Sequence, residues 1–365
     1  MNIHSNKTLC VLPFIEQHYD LQGRQYFCCH ANRQLPLNDQ TDPEIIELKQ
    51  SILAGVEIPQ CTSCYTLEKD KVISPRQINT IKWFKFPEIK SYIETWVPTT
   101  PTIIYSYDLR FDSKCNLACI SCNENDSSLW AKELGIDRVS TSLYFDKQKL
   151  FSAKKIYFAG GEPLIIDQYI DILEFIADNN IDVEVVINTN LTVMTDRIVS
   201  KIAKIKNCCL TISVDAYGSV NEYHRYPMSW LKFIKNLAIV KEHGIKHTFN
   251  TVADAVSVFG FGQLLELEDY PMQWNLTVLT HPNRLLLENI PLHLKDQALE
   301  SVRKLTQSKF YKTDIKFRST VSYILTQIAQ PGDSFLLSNY INTLDIRRKI
   351  NHQDYLGVNL IEENK

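Results

Sequence analysis

At 365 residues, with 44% hydrophobic and 22% charged residues, the chain can bury the core of one large or two ordinary globular domains, which excludes a disordered or fibrous protein. Thirty-nine basic against 42 acidic residues give a formal net charge of −3, too little positive charge for a phosphate-backbone surface, so a nucleic-acid partner is disfavoured. No stretch approaches the roughly 18 apolar residues of a membrane span, and the early run Cys10–Ile15 is short and contains Pro13; the sequence predicts a cytoplasmic protein with no membrane partner.

In chain order, residues 1–101 hold short apolar pieces, polar turns and cysteine pairs, closed by Trp83–Trp96 and the proline-bearing stretch Val97–Pro101. Residues 102–290 then alternate β-branched runs with amphipathic stretches, the pattern of β-α units around a parallel sheet. Six strands are predicted, at Ile103–Phe111, Lys155–Phe158, Asp182–Asn188, Leu210–Asp215, Lys246–Val252 and Gln273–Leu279. Helices are predicted between them at Ser127–Leu134, Ile166–Ala177, Thr195–Ile205, Trp230–Glu242 and Phe259–Leu267. Residues 291–365 read as a helical extension, with Leu292–Gln307, Tyr323–Ile328 and Asp333–Asn342. The expected fold class is α/β: a partial (β/α)6 TIM-like barrel, a cysteine-rich N-terminal module and a helical C-terminal extension.

Ten cysteines in a reducing compartment point to metal binding or thiol chemistry rather than disulfides. Cys115, Cys119 and Cys122 fall on one loop directly after the first predicted barrel strand, where parallel barrels build their sites. Three thiolates there can hold three irons of a 4Fe–4S cube and leave the fourth open to a chelating ligand. A zinc knuckle is the competing reading, but the next histidine is His224, too distant for a compact knuckle. After the second strand, Gly160-Gly161-Glu162-Pro163 lets backbone approach a ligand closely, and Glu162 can receive an ammonium group.

Together these residues resemble the radical S-adenosylmethionine (SAM) enzymes, which combine a Cys-x3-Cys-x2-Cys loop with a Gly-Gly-Glu-Pro turn over roughly Thr102 to Thr280. The resemblance implies a 4Fe–4S cluster whose open iron is chelated by SAM, reductive cleavage to a 5′-deoxyadenosyl radical, and hydrogen abstraction from a substrate. It also implies SAM contacts at Gly160, Gly161, Glu162, Pro163, Thr189, Asn190, Ser213, Asp215 and Arg225, the last as a partner of the SAM carboxylate. Asn188 to Asn190 read equally as simple strand termination, and Arg225 also reads as a surface ion pair. Ser121 departs from the aromatic or large apolar residue common before the third cysteine, and Phe111 or Tyr107 is the expected substitute beside adenine.

In the N-terminal module Cys10, then Gly23 and Cys28 with four residues between them, then Cys61 and Cys64 resemble the auxiliary-cluster modules called twitch and SPASM. The resemblance implies a second 4Fe–4S cluster on Cys10, Cys28, Cys61 and Cys64, with zinc as the competing metal on four thiolates. Those modules usually follow the barrel; here the pattern precedes it. Cys208 and Cys209 read as structural thiols at a strand start, and Cys29 as the better candidate for a reactive thiol. No residue is singled out as a catalytic acid or base. Single-auxiliary-cluster relatives include many peptide maturases, so the expected reaction is epimerisation, crosslinking or backbone excision of a ribosomally made peptide. A small leader-recognition protein and a reductant such as flavodoxin or ferredoxin are the expected partners. Oxidation of a small-molecule alcohol or sugar, and a non-catalytic iron–sulfur or zinc scaffold, are the competing functions.

Overall fold

The computed structural model describes residues 6–29, 31, 42–69, 73–137 and 144–361. Among the described residues there are eight strands: β1 Glu16–Tyr19, β2 Gln25–Tyr26, β3 Ser106–Leu109, β4 Lys155–Phe158, β5 Glu184–Thr189, β6 Cys208–Ser213, β7 Lys246–Ala253 and β8 Trp274–Val278. They form one mostly parallel sheet in the order β2-β1-β3-β4-β5-β6-β7-β8. The six predicted barrel strands are β3 to β8, and β1 and β2 are additional.

One compact unit comprises Met1–Asp112, Ser140–Gly160 and Asp178–Val186. Here β1 and β2 make an antiparallel hairpin with His18 opposite Tyr26. Its turn is held by Asp20, whose Oδ1 accepts from the Gln22 and Arg24 amides, both at 2.9 Å, while Gly23 takes the left-handed φ of 79° that a side chain would strain. Along β1, β3 and β4 the parallel register sets Glu16 beside Ser106 beside Lys155, and His18 beside Asp108 beside Tyr157. Because side chains alternate along a strand, these six polar residues share one face. Among the described residues, four helices of eight residues or more pack in this unit: Pro43–Leu53, Thr62–Lys69, Pro75–Trp83 and Pro87–Glu94. Three of them begin at a proline, which supplies a helical φ where its missing N–H costs nothing, and Ser74 and Gln77 close a reciprocal cap on the third. Their apolar residues Leu48, Ile52, Trp83, Ile89 and Ile93 bury Phe14, Ile15 and Trp96 in a common core.

The second compact unit comprises Ser113–Val139, Gly161–Ala177 and Ile187–Lys365. Strands β6, β7 and β8 pair in parallel within it. Trp274 on β8 is fully buried among Phe249, Phe310 and Phe317, at ring separations of 5.9, 5.8 and 5.6 Å, and its Nε1 donates to Thr251 Oγ1 at 2.8 Å. The C-terminal helices Lys295–Lys304, Ile315–Ala329 and Ser334–Arg348 belong to this unit. The helix predicted at Phe259–Leu267 is instead two 3-10 segments, Ser257–Gly260 and Gly262–Leu267. Gly260 explains the break: a Cβ there would lie 2.8 Å from Ala216 Cβ and 2.9 Å from the Tyr217 amide, so the chain hugs the strand end too closely for a regular helix. Among the described residues no helix is long and apolar enough to cross a membrane.

Candidate functional site

Residues 113–122 leave β3 as an irregular loop, and hydrogen bonds within the second unit hold most of its backbone. The Cys115 amide donates to Ser128 Oγ at 3.0 Å, Ser127 Oγ donates to the Leu117 carbonyl at 2.6 Å, and the Ala118 and Ile120 amides donate to the Tyr226 and His224 carbonyls at 2.6 and 2.9 Å. Both serines sit where a helix begins, Ser127 being the cap of Ser128–Glu133. The loop carbonyls are also occupied. Trp130 Nε1 donates to Cys119 O at 2.7 Å, Tyr340 Oη to Ile120 O at 2.8 Å and Arg348 Nη2 to Ala118 O at 2.7 Å. Arg348 itself is buried against Trp130 and Tyr226 and pairs with Glu133 at 3.1 Å.

The Gly-Gly turn lies against this loop. Gly160 has φ of 108°, and a Cβ on it would meet Asp112 O at 2.6 Å; one on Gly161 would meet Lys114 O at 2.2 Å. The Glu162 amide then donates to Lys114 O at 2.9 Å, and Pro163 opens a 3-10 turn capped by the Glu162 carboxylate on the Leu164 amide. Glu162 is buried and its oxygens also accept from Thr189 Oγ1 at 2.7 Å and the Asn190 amide at 2.6 Å. Burial pushes this carboxyl up to about 7 against those hydrogen bonds. Asn190 in turn bonds Asn116 at 3.1 Å, between Cys115 and Leu117. The cysteine loop, the Glu162 turn and the end of β5 are therefore one hydrogen-bonded assembly.

Asp215 follows β6 and is buried. Arg225 Nη2 donates to it at 2.6 Å, the Val252 amide at 2.9 Å, and His224 Nδ1 lies 3.2 Å away. Burial opposes its charge, but Arg225 and His224 hold the carboxyl down to about 2. His224 sits between Asp215 and Asp254, the latter at 2.5 Å; burial opposes its proton too, yet the two carboxylates raise it to about 10, so the imidazole is a cation. Arg225 is thus not a surface ion pair, being clamped by Asp215 beneath the cysteine loop. A hydrogen bond from Cys122, opposed by burial and aided by Arg225 and His224, lowers the Cys119 thiol to about 6; burial and Cys119 lift Cys115 to about 12. Ser213 is buried at the end of β6, with Asn188 at 3.5 Å.

In the first unit, Cys10, Cys28, Cys61 and Cys64 line one small void together with Arg76. Burial and the Cys64 thiol raise Cys61 to about 12, while Arg76 pulls it down. Arg76 is buried, donates from Nε to Glu68 at 2.9 Å and from Nη1 to the Leu9 carbonyl at 2.6 Å. Cys208 is buried at the start of β6, and Cys29 lines a separate polar cavity. Tyr107 and Phe111 are buried around Phe145, at 5.2 and 6.1 Å, so this unit encloses both rings offered above as adenine partners. Among the described residues no three His, Cys, Asp or Glu side chains converge tightly enough for a single metal ion.

The three-thiol loop, locked against a glycine turn and backed by buried cations, therefore sits at the strand ends of a parallel sheet. Residues 111–254 match the family model of the radical SAM superfamily, so this stretch of the chain is a radical SAM domain. The radical SAM match implies a 4Fe–4S cluster and SAM, and the second unit fits them on two grounds: three buried or half-buried thiols on one loop, and an Arg225 Nε that is buried without a hydrogen-bond partner among the described residues. Among solved structures the chain is similar to Streptococcus suis SuiB, at 16% identity over 76% of this chain and 65% of that one, with a TM-score of 0.41. It is also similar to anSMEcpe with bound AdoMet, at 14% over 54% and 57%, TM-score 0.40, and to TYW1 with a lysine-pyruvate adduct, at 14% over 53% and 70%, TM-score 0.35. The chain thus spans about two thirds or less of the length of SuiB and anSMEcpe. No curated protein matches it.

Proposed function

We propose that this enzyme modifies a ribosomally made peptide by hydrogen abstraction, using a second cluster on the N-terminal thiols. Cys115, Cys119 and Cys122 would hold the radical cluster, which when bound supplies the electron for SAM cleavage. Gly160, Gly161 and Pro163 shape the backbone that approaches SAM, and Glu162, Thr189 and Asn190 form its polar wall. Ser213 and Asp215 sit at the next strand end. Asp215 orients Arg225, leaving the rest of its guanidinium for the SAM carboxylate and the cluster thiolates.

The observation that carries the reading is the gathering of Cys10, Cys28, Cys61 and Cys64 around one void, because this donor set matches the twitch complement whose single-cluster relatives include many peptide maturases. Arg76 beside the void offsets thiolate charge. Four thiolates complete the coordination, so this cluster acts in electron transfer or substrate positioning rather than SAM cleavage. A small leader-recognition protein and a flavodoxin or ferredoxin would serve it.

The test is anaerobic turnover of a candidate precursor peptide by wild-type protein and the Cys61→Ala/Cys64→Ala double variant, reading peptide mass and 5′-deoxyadenosine together. Wild type should alter the peptide; the variant should still release 5′-deoxyadenosine but make no product, with an unchanged far-ultraviolet circular dichroism spectrum. Normal product from the folded variant would reduce the N-terminal module to a scaffold, and turnover of a small alcohol with peptides untouched would replace the peptide reading.

A further inference from the structure

The first unit contains a second feature that neither the cluster nor SAM uses. A polar cavity of about 320 Å3 is lined by Glu16, Ser106, Asp108, Lys155 and Tyr157, five of the six residues on the shared face of β1, β3 and β4, together with Arg110. That is within the size range of small-ligand pockets. Its charges are unequally committed. Asp108 is engaged by Arg110, with Nε 3.2 Å from one oxygen and Nη2 3.3 Å from the other, and by His18 at 3.1 Å; burial opposes its charge, but these partners hold the carboxyl down to about 2. Glu16 accepts from Ser106 Oγ at 2.9 Å, and burial together with Asp108 pushes it up to about 8, so near neutral pH it is largely protonated.

Lys155 is different. Its ammonium lies 5.9 Å from the Tyr157 ring centre and has no carboxylate within ion-pair distance among the described residues. Arg110 and Lys155 together therefore bring one positive charge more than Asp108 offsets. A half-buried cation facing a polar cavity is stabilised most by an anion small enough to enter, and a protonated carboxyl beside it donates to such an anion rather than repelling it.

We propose that this cavity is a carboxylate subsite in which the Lys155 ammonium pairs with a carboxylate of the organic guest, and Arg110 stays locked on Asp108. In a peptide that group is either the C-terminal carboxylate or an acidic side chain. The inference rests on the peptide reading only for its probes.

Isothermal titration of the reconstituted full chain with Ac-Gly-Gly-Gly-OH, Ac-Gly-Glu-Gly-NH2 and the neutral Ac-Gly-Gln-Gly-NH2 tests it. One acidic probe should bind at least about tenfold tighter than the neutral one, about 1.4 kcal/mol, and which acid wins identifies the source of the carboxylate. Lys155→Met should erase that advantage while leaving the neutral probe unchanged, and Lys155→Arg should keep it. Equal binding of all three, binding of none, or an advantage that survives Lys155→Met would overturn the subsite. The wild-type preference is read without any variant, so a poorly folding Lys155→Met leaves the test intact. A carboxylate preference with no peptide turned over would remove the peptide reading and leave the subsite standing.

Discussion

Gly161→Ala tests the contact between the Gly-Gly turn and the cysteine loop. Gly161 has no left-handed φ, so the substitution strains no dihedral and its cost is contact alone. The new Cβ would lie 2.2 Å from Lys114 O and 2.6 Å from both the Lys114 and Ser113 carbonyl carbons. Backbone must therefore move by more than about 1 Å to reach ordinary contact, and this is the backbone that leads into Cys115. That movement breaks the Glu162 amide bond to Lys114 O. Overpacking costs roughly 1–3 kcal/mol and the lost buried hydrogen bond about 1 kcal/mol, so a loss of about 2–4 kcal/mol is expected in urea unfolding. A several-fold fall in 5′-deoxyadenosine formation should accompany it. Gly135→Ala is the control: it has φ of 69° but no atom within 4 Å of its Cβ, so it loses only the left-handed penalty of about 1–2 kcal/mol and should keep SAM cleavage. Wild-type stability and cleavage in Gly161→Ala would refute the close packing of turn and loop.

Further expectations concern the rest of the molecule. Reconstituted wild type should hold about eight irons, and alanine at Cys115, Cys119 and Cys122 together should remove about half; full retention in iron and sulfide assays would contradict the assignment. Arg348→Met leaves Glu133, 15% exposed at its side chain, without its buried partner, and should cost roughly 3–5 kcal/mol and broaden the electron paramagnetic resonance of the reduced radical cluster; a spectrum and stability like wild type would show that the helix does not restrain the loop. Glu16 keeps its proton to about 8 in the folded state against 4.5 for the free group, so folding stability should decline as pH rises between those values. Glu16→Gln should flatten that decline by roughly 2–4 kcal/mol in unfolding curves at pH 5 and 8.5, and an unaltered slope would contradict the burial argument.

What was legible in the sequence was local. Cys115, Cys119 and Cys122 fall within eight residues, and Gly160 to Pro163 are contiguous, so their spacing carried the resemblance to the radical SAM family, and the order of strand and turn located both loops. The clamp on that loop was not legible, because Tyr340 and Arg348 are ordinary helical residues whose targets, Ile120 and Ala118, lie more than 200 positions earlier. Strand β1 was missed for another reason: Glu16-Gln17-His18-Tyr19 lacks the apolar alternation of a half-buried strand, since one of its faces is the polar cavity. His224 was weighed only as a zinc ligand and rejected on distance; its flanking carboxylates, Asp215 and Asp254, come from two different strand ends, a convergence no local pattern announces. The predicted helix at Phe259–Leu267 failed because its apolar spacing was right while Gly260 answers to the neighbouring strand end.

The clamp also orders events during synthesis. Ile120 and Ala118 leave the ribosome more than 200 residues before the side chains that bind their carbonyls. Until Tyr340 and Arg348 emerge, the cysteine loop lacks its final restraints and Arg348 cannot neutralise Glu133. The held form of the cysteine loop is therefore a late product of translation, complete only once the C-terminal helix has emerged.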